Sequence, residues 1–359
     1  MGFSTAFSGP DRCVMGLAMG DPGGIGAELA AKMLADPAIS DAMQLVVLGN
    51  RGLLDAGAAT CGVTLDLSSL PLQNLSRKAI AAAGGHVMVE VGREADLSHL
   101  PAGEPTREGG AFALENFRAG IRLADAGVLD ALCFTPFNKY AMRLAYPTYQ
   151  DEIVFISEIL GSGTGVAEFN VADIWTGRVT SHVPLSQVAP LITREAVLGR
   201  LVMTDRIMRA GGVAHPKIAV AGLNPHAGDN GNFGHEEIEV IAPAVAEGRV
   251  RGIDCDGPFS PDTVFVRASR GDFNSVLTMY HDQGQIAMKL MSFEKGVVLF
   301  GGFAFPICTP AHGTAYDIAG HGKAHPGAMR ATLLLAASLA SDRVPTPAPA
   351  LKSTAALSA

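Results

Sequence analysis

The chain has 359 residues, 48% of them hydrophobic and 17% charged, which excludes a largely disordered protein and exceeds what one ordinary core accommodates. A formal net charge of −8 with no basic run excludes a nucleic-acid binder, whose phosphate contacts need clustered Lys and Arg. The 42 glycines beside only 6% aromatics suit an α/β enzyme with many tight strand-to-helix turns.

The N-terminal region shows no basic segment followed by an apolar core and a cleavage site, and no uncharged apolar run reaches the length of a membrane span. Cys13, Cys61, Cys133, Cys255 and Cys308 are scattered without a CxxC pair and read as reduced thiols of a cytoplasmic protein. The block at 19–26, Met-Gly-Asp-Pro-Gly-Gly-Ile-Gly, opens a helix expected to run to Leu34. Its glycines would let backbone amides approach a ligand at the positive helix end. It lacks the Lys-Ser/Thr ending of a P-loop and the dinucleotide spacing, so a structural turn presenting Asp21 is the competing reading. Residues 45–48, 131–134, 217–220 and 296–300 have the length and continuity of strands buried on both faces. Amphipathic stretches at 112–126 and 236–246 separate several of them, the second with the acidic start of a helix N-terminus. The alternation predicts a mostly parallel sheet with helical crossovers.

His182 follows the run 169–179, His226 lies in a Gly/Pro/Asn loop after the strand at 217–223, and His281 follows residues 275–279. Each alone would more often be an ordinary hydrogen-bonded histidine. Three in similar strand-end loops read together as one divalent-metal site, because three protein ligands leave an open position for substrate. Asp282 is placed to orient an imidazole. Lys289, in an otherwise apolar stretch, is expected to be partly desolvated and useful for acid/base work, or else to snorkel to solvent. Asp262, in Ser-Pro-Asp-Thr, is a candidate for substrate hydroxyls or a helix cap. The glycine-punctuated segment 312–324 offers His312, Gly313, Thr314, Asp317 and Gly320 as an adenosine cradle, with a plain inter-domain loop as the alternative. Residues 344–359, rich in Pro, Ala, Ser and Thr, read as a loose tail.

Seven blocks carry a resemblance: GDPGGIGAE at 20–28, TPFNK at 135–139, SHVPL at 181–185, GLNPHAGDNGNFG at 222–234, DGPFSPDT at 256–263, YHDQGQIAMK at 280–289 and HGTAYDIAGHGKA at 312–324. In this order they resemble the 4-hydroxythreonine-4-phosphate dehydrogenase (PdxA) family, and the last also resembles the adenosine loop of isocitrate and isopropylmalate dehydrogenases. The resemblance implies two α/β subdomains with a cleft between them, expected as 1–134 plus 297–343 and 135–296. It implies His182, His226 and His281 as ligands of a divalent metal, zinc first with manganese, cobalt or magnesium as alternatives, shared between the subunits of a homodimer. It further implies NAD or NADP at the 312–324 loop, Lys289 as a substrate-binding residue, and oxidation followed by loss of carbon dioxide; Lys289, Asp282 and Asp262 are the expected catalytic residues.

Departures from the family pattern guide the expected substrate. A Gly-His-Thr-Glu block is replaced within 149–154 by Tyr-Gln-Asp-Glu-Ile-Val, where Glu152 or Gln150 takes the place of its His, and Glu152 stands with Asp21 and Asn224 as substrate candidates. Val298 stands where the family has an Asn, and Cys308 stands near the place of an Arg clamp. The segment 285–290 and Gly301-Gly302 look more like the terephthalate cis-dihydrodiol dehydrogenase branch. The expectation is therefore a non-phosphorylated hydroxy acid or cis-dihydrodiol carboxylate. The phosphorylated family substrate is the alternative, and a metal-dependent hydrolase or a non-catalytic metal- and nucleotide-binding protein are readings of another class.

Overall fold

The structure, a computed structural model, describes residues 12–91, 97, 100–161, 165–292 and 295–341. The tail expected at 344–359 lies outside the described residues. In chain order the first part contains β1 (Cys13–Ala18), α1 (Gly26–Leu34), α2 (Pro37–Ala42), β2 (Met43–Gly49), α3 (Arg51–Cys61), β3 (Ser68–Ser69), α4 (Arg77–Ala83), β4 (Val87–Glu90), α5 (Arg107–Asp125), β5 (Ala131–Phe134), α6 (Lys139–Ala145) and α7 (Glu152–Leu160). Next come β6 (Ala167–Val171), β7 (Trp175–Arg178), α8 (Val188–Leu191), α9 (Arg194–Ala210), β8 (Ile218–Ala221), α10 (Ala242–Val250), β9 (Cys255–Phe259), α11 (Val264–Ser269), β10 (Ser275–Thr278), α12 (His281–Ser292) and β11 (Val297–Gly301). The chain ends its described part with β12 (Ile307–Pro310) and α13 (Gly327–Ser341).

These elements form two compact units, one of residues up to 166 and from 303 onward, the other of residues 167–302. The first unit's strands follow the order β3-β4-β2-β1-β5-β12 and are parallel throughout. Every residue of β1 and β5 is buried, as continuous apolar strands between helical layers require. Side-chain caps start α3 to α7: Asn50, Ser76, Thr106, Asn138 and Asp151 each accept a backbone amide of the first turn. The Thr106 cap starts α5 at Arg107, five residues before the apolar periodicity at 112 suggested.

The second unit has the order β11-β6-β7-β10-β8-β9. Here the expectation of a parallel sheet holds only for β7, β10, β8 and β9; β6 runs antiparallel to both neighbours. The run 169–179 is thus a hairpin of two strands. A core of Ile174, Ala219, Ala221, Val264, Phe265, Ala268, Val276 and Met288 joins this sheet to α11 and α12.

The unit boundaries differ from 134/135 and 296/297 for packing reasons. Phe155 of α7 stacks on Phe117 of α5 with ring centroids 5.8 Å apart, and a Cβ on Gly110 would lie 2.0 Å from the Ala141 carbonyl oxygen. Residues 135–166 therefore stay with the first unit, while the pairing of β11 with β6 keeps 297–301 in the second. Among the described residues, no helix is long and apolar enough to cross a membrane.

Candidate metal and nucleotide sites

In the second unit β7, β10 and β8 are neighbours and parallel, so their carboxyl ends share one edge of the sheet, the edge where ligands bind in open α/β folds. His182, His281 and His226 follow those three ends in turn. The Val179 amide donates to the Thr278 carbonyl at 2.9 Å, and both the amide and the hydroxyl of Thr180 donate to the Met279 carbonyl, at 3.1 and 2.8 Å. That zipper continues past the strands and brings the His182 and His281 rings to 5.5 Å between centroids. His182 itself has φ 50°, a left-handed conformation that costs a side-chain-bearing residue strain.

His281 opens α12, with its Nδ1 2.7 Å from Asp282 Oδ1. The carboxylate fixes the ring so that Nε2 is the nitrogen left to bind a ligand. Gln283, which sequence reasoning passed over, ties the edge together. Its Oε1 accepts the Met279 amide at 2.7 Å and its Nε2 donates to the Gly222 carbonyl at 2.9 Å, linking the end of β10 to the end of β8. Only the polar block YHDQG hinted at it.

His226 is exposed in a tight loop after β8, its ring centroid 6.2 Å from that of Phe233. Two imidazoles on one ion, with bonds of about 2.1 Å, place their centroids roughly 5 Å apart, so the His182–His281 pair fits a shared divalent cation. The donor set fits too: three imidazoles on adjacent strand ends, one of them steered by a carboxylate. Among the described residues of one chain, however, no three His, Cys, Asp or Glu side chains are gathered at metal-binding distance.

Other expected residues have duties inside the chain. The Asn224 side-chain amide donates to Glu236 Oε2 at 2.7 Å and Glu237 Oε2 at 3.0 Å. Asp262 is exposed, accepts the Ser260 hydroxyl at 2.6 Å and makes no helix cap. Lys289 is exposed, as the snorkelling alternative has it and not as a desolvated ammonium within the single chain. Its apolar neighbours Ile286 and Leu290 face outward with it, 61% and 83% exposed.

In the first unit the 312–324 loop is clamped along α1. The Ile25 amide donates to the Thr314 carbonyl at 3.1 Å, Glu28 Oε1 accepts the Gly320 amide at 2.7 Å, and Lys32 Nζ donates to the carbonyls of Gly322 and Ala324 at 2.8 and 2.7 Å. Residues 28 and 32 lie one turn apart, so a single helix face makes both grips. Asp21, 2% exposed, accepts the Gly23 amide at 2.9 Å and the Tyr316 hydroxyl at 2.8 Å. Burial pushes its carboxyl above the ordinary range, and those two hydrogen bonds pull it partly back. Burial lowers the His312 ring, which contacts the Gly313 carbonyl. Asp317, Gly313 and Gly320 are exposed along the loop, and Thr314 is buried beneath it.

The replaced 149–154 block starts α7. Asp151 caps it, and Glu152 pairs with Lys139 Nζ at 2.9 Å, leaving Gln150 exposed. Cys308 is a fully buried β12 residue in register with Cys133, so it belongs to the core and not to a substrate clamp. Val298, in β11, lies opposite Asn170.

The family model for "Pyridoxal phosphate biosynthetic protein PdxA" matches residues 41–336. A Rhizobium meliloti protein named provisionally as 4-hydroxythreonine-4-phosphate dehydrogenase 2 is 53% identical over 338 residues, covering 92% of this chain and 94% of that protein. The crystal structure of 4-hydroxythreonine-4-phosphate dehydrogenase from Klebsiella pneumoniae superposes with a TM-score of 0.75 at 33% identity, covering 92% of this chain and 98% of that one. A terephthalate 1,2-cis-dihydrodiol dehydrogenase from Burkholderia xenovorans gives 0.64 at 24% identity over 91% of this chain and 98% of that one, a likeness of fold alone. These matches overturn the expected phosphate-free substrate. It rested on the replaced block at 149–154, on Val298 and Cys308, and on short segments at 285–290 and 301–302, whereas the relatives matched at higher identity over nearly their full length are named for a phosphorylated substrate. The chain belongs to the PdxA family and is an NAD-dependent oxidoreductase acting on a CH–OH group.

Proposed function

We propose that the chain oxidises 4-hydroxythreonine 4-phosphate with NAD and that the product then loses carbon dioxide. The observation that carries this reading is the 53% identity over 94% of a relative named for that substrate. The carbinol carbon gives hydride to the nicotinamide and its hydroxyl gives up a proton. The ketone formed lies β to the carboxylate, and it accepts the electron pair released when carbon dioxide departs.

His182, His226 and His281 would hold a divalent metal, zinc being suited to an all-nitrogen set. Such an ion supplies positive charge to an oxygen that becomes more negative during the reaction. Asp282 holds the His281 ring, Lys289 binds substrate and returns the proton to the carbon left by carbon dioxide, and the α1-clamped loop at 312–324 receives the nucleotide. We also propose a homodimer joined through the exposed apolar face of α12, where Ile286 and Leu290 flank Lys289. Burial there would give Lys289 the dry surroundings that one chain does not.

The test is NADH formation by the metal-loaded protein with 4-hydroxythreonine 4-phosphate, its dephosphorylated form and other 4-phosphorylated four-carbon hydroxy acids. Turnover of the first, reduced at least about tenfold in His226→Ala, is expected. Turnover confined to phosphate-free compounds would overturn the proposal.

A further inference from the structure

We infer that Glu237 is the positioning residue that aims His226 for metal binding, an assignment that rests on the metal reading above. The backbone around His226 is unusual. Residues 226 to 230 all have positive φ, at 53°, 53°, 81°, 45° and 57°, and only Gly228 among them is a glycine. Side-chain-bearing residues enter this region at a cost, and such a run persists only where its surroundings over-determine it.

The surroundings converge on one carboxylate. Glu237 is 2% exposed. Its Oε1 accepts the amides of Leu223 and Asn224, both at 2.7 Å, and its Oε2 accepts the Asn224 side-chain amide at 3.0 Å. Those residues are the last before Pro225-His226, so the carboxylate grips the chain where it leaves β8. Glycines make the room. A Cβ on Gly222 would come within 3.0 Å of Glu237 Oε1, and one on Gly228 within 2.7 Å of Oε2. On the far side of the loop, the Phe233 amide donates to the Gly228 carbonyl at 3.0 Å.

Glu237 also begins a π-helical turn, Glu237–Ile241, that runs into α10. Wide turns of this kind recur at functional sites, and this one places the carboxylate under the loop. Three N–H groups converge on its two oxygens, so both oxygens act as acceptors. A glutamine keeps one acceptor and turns its own N–H₂ toward a donor. The sequence offered Glu236-Glu237 only as the acidic start of a helix.

The experiment is cobalt(II) titration of the metal-stripped full-length protein, followed by calorimetry and visible absorption. Glu237→Gln is expected to weaken cobalt binding about tenfold while the melting temperature stays close to that of the parent. Glu247→Gln, a half-buried acid of α10 paired with Arg194 and Arg251, is expected to bind as the parent does. Parental cobalt affinity in a folded Glu237→Gln protein, with binding lost in His226→Ala, overturns the role of Glu237 alone. Parental affinity in His226→Ala overturns the metal reading itself. Should Glu237→Gln not fold, Glu237→Asp keeps the charge but draws the carboxylate back from the Leu223 and Asn224 amides, leaving the Asn224–Glu236 contact in place. Weakened cobalt binding supports the assignment in that variant too, and unchanged binding overturns it.

Discussion

His86 shows how one buried ring makes this fold sensitive to acid. Its Nδ1 accepts the Leu45 amide at 3.0 Å, so Nε2 carries the proton and donates it to the Ser40 hydroxyl, also at 3.0 Å. Burial, helped by nearby Arg12, holds the ring below its ordinary value of 6.5. A base with a lowered native pKa contributes fully above 6.5. That contribution is lost as the pH falls toward the native value, because the unfolded chain takes up the proton first. His312 shifts in the same direction. The urea midpoint should therefore fall on going from pH 7 toward pH 5, with each ring contributing at most about 1.4 kcal/mol per pH unit. His86→Gln, which can serve both partners without titrating, should flatten part of that slope; a slope equal to the parent's would clear His86 of the effect.

At the scale of elements, α1 works as a clamp. Lys32 holds two carbonyls of the 312–324 loop and Glu28 an amide, while Tyr316 latches the same loop to Asp21. Charge-assisted hydrogen bonds of this kind are worth roughly 1.5–3 kcal/mol each. Lys32→Met should raise the KM for NAD about tenfold and change kcat little, as initial rates with varied NAD will show. An unchanged KM would detach the loop from nucleotide binding. This element also shows what was readable beforehand. The helix at 26–34 and the loop at 312–324 were both visible as glycine-rich blocks, but nothing in either block said that the two touch, since 292 positions separate Lys32 from Ala324. The Glu237 grip was hidden for a related reason, because an acid in a first helical turn serves the helix dipole equally well.

For the whole molecule, the exposed side chains Leu185, Ile286 and Leu290 of the second unit, 71%, 61% and 83% exposed, lie near His182, His281 and Lys289 in the chain. On the dimer proposed above, these exposed apolar groups would supply the association surface beside the proposed site. Sedimentation should give a dimer, and Ile286→Glu with Leu290→Glu should give a monomer with diminished turnover. A parent that sediments as a monomer would remove the shared-site reading. The sequence by itself determined the family, the strands at 45–48 and 131–134, and the position of the three histidines after strands, because continuous apolar runs and fixed polar blocks are local patterns. Tertiary structure decided the rest. The antiparallel β6, the unit boundaries near 166 and 302, the burial of Cys308 and the exposure of Lys289 all depend on which surfaces meet. Apolar residues such as Ile286 and Leu290 read alike in sequence whether a core covers them or solvent does, and only the packing of α12 settled which.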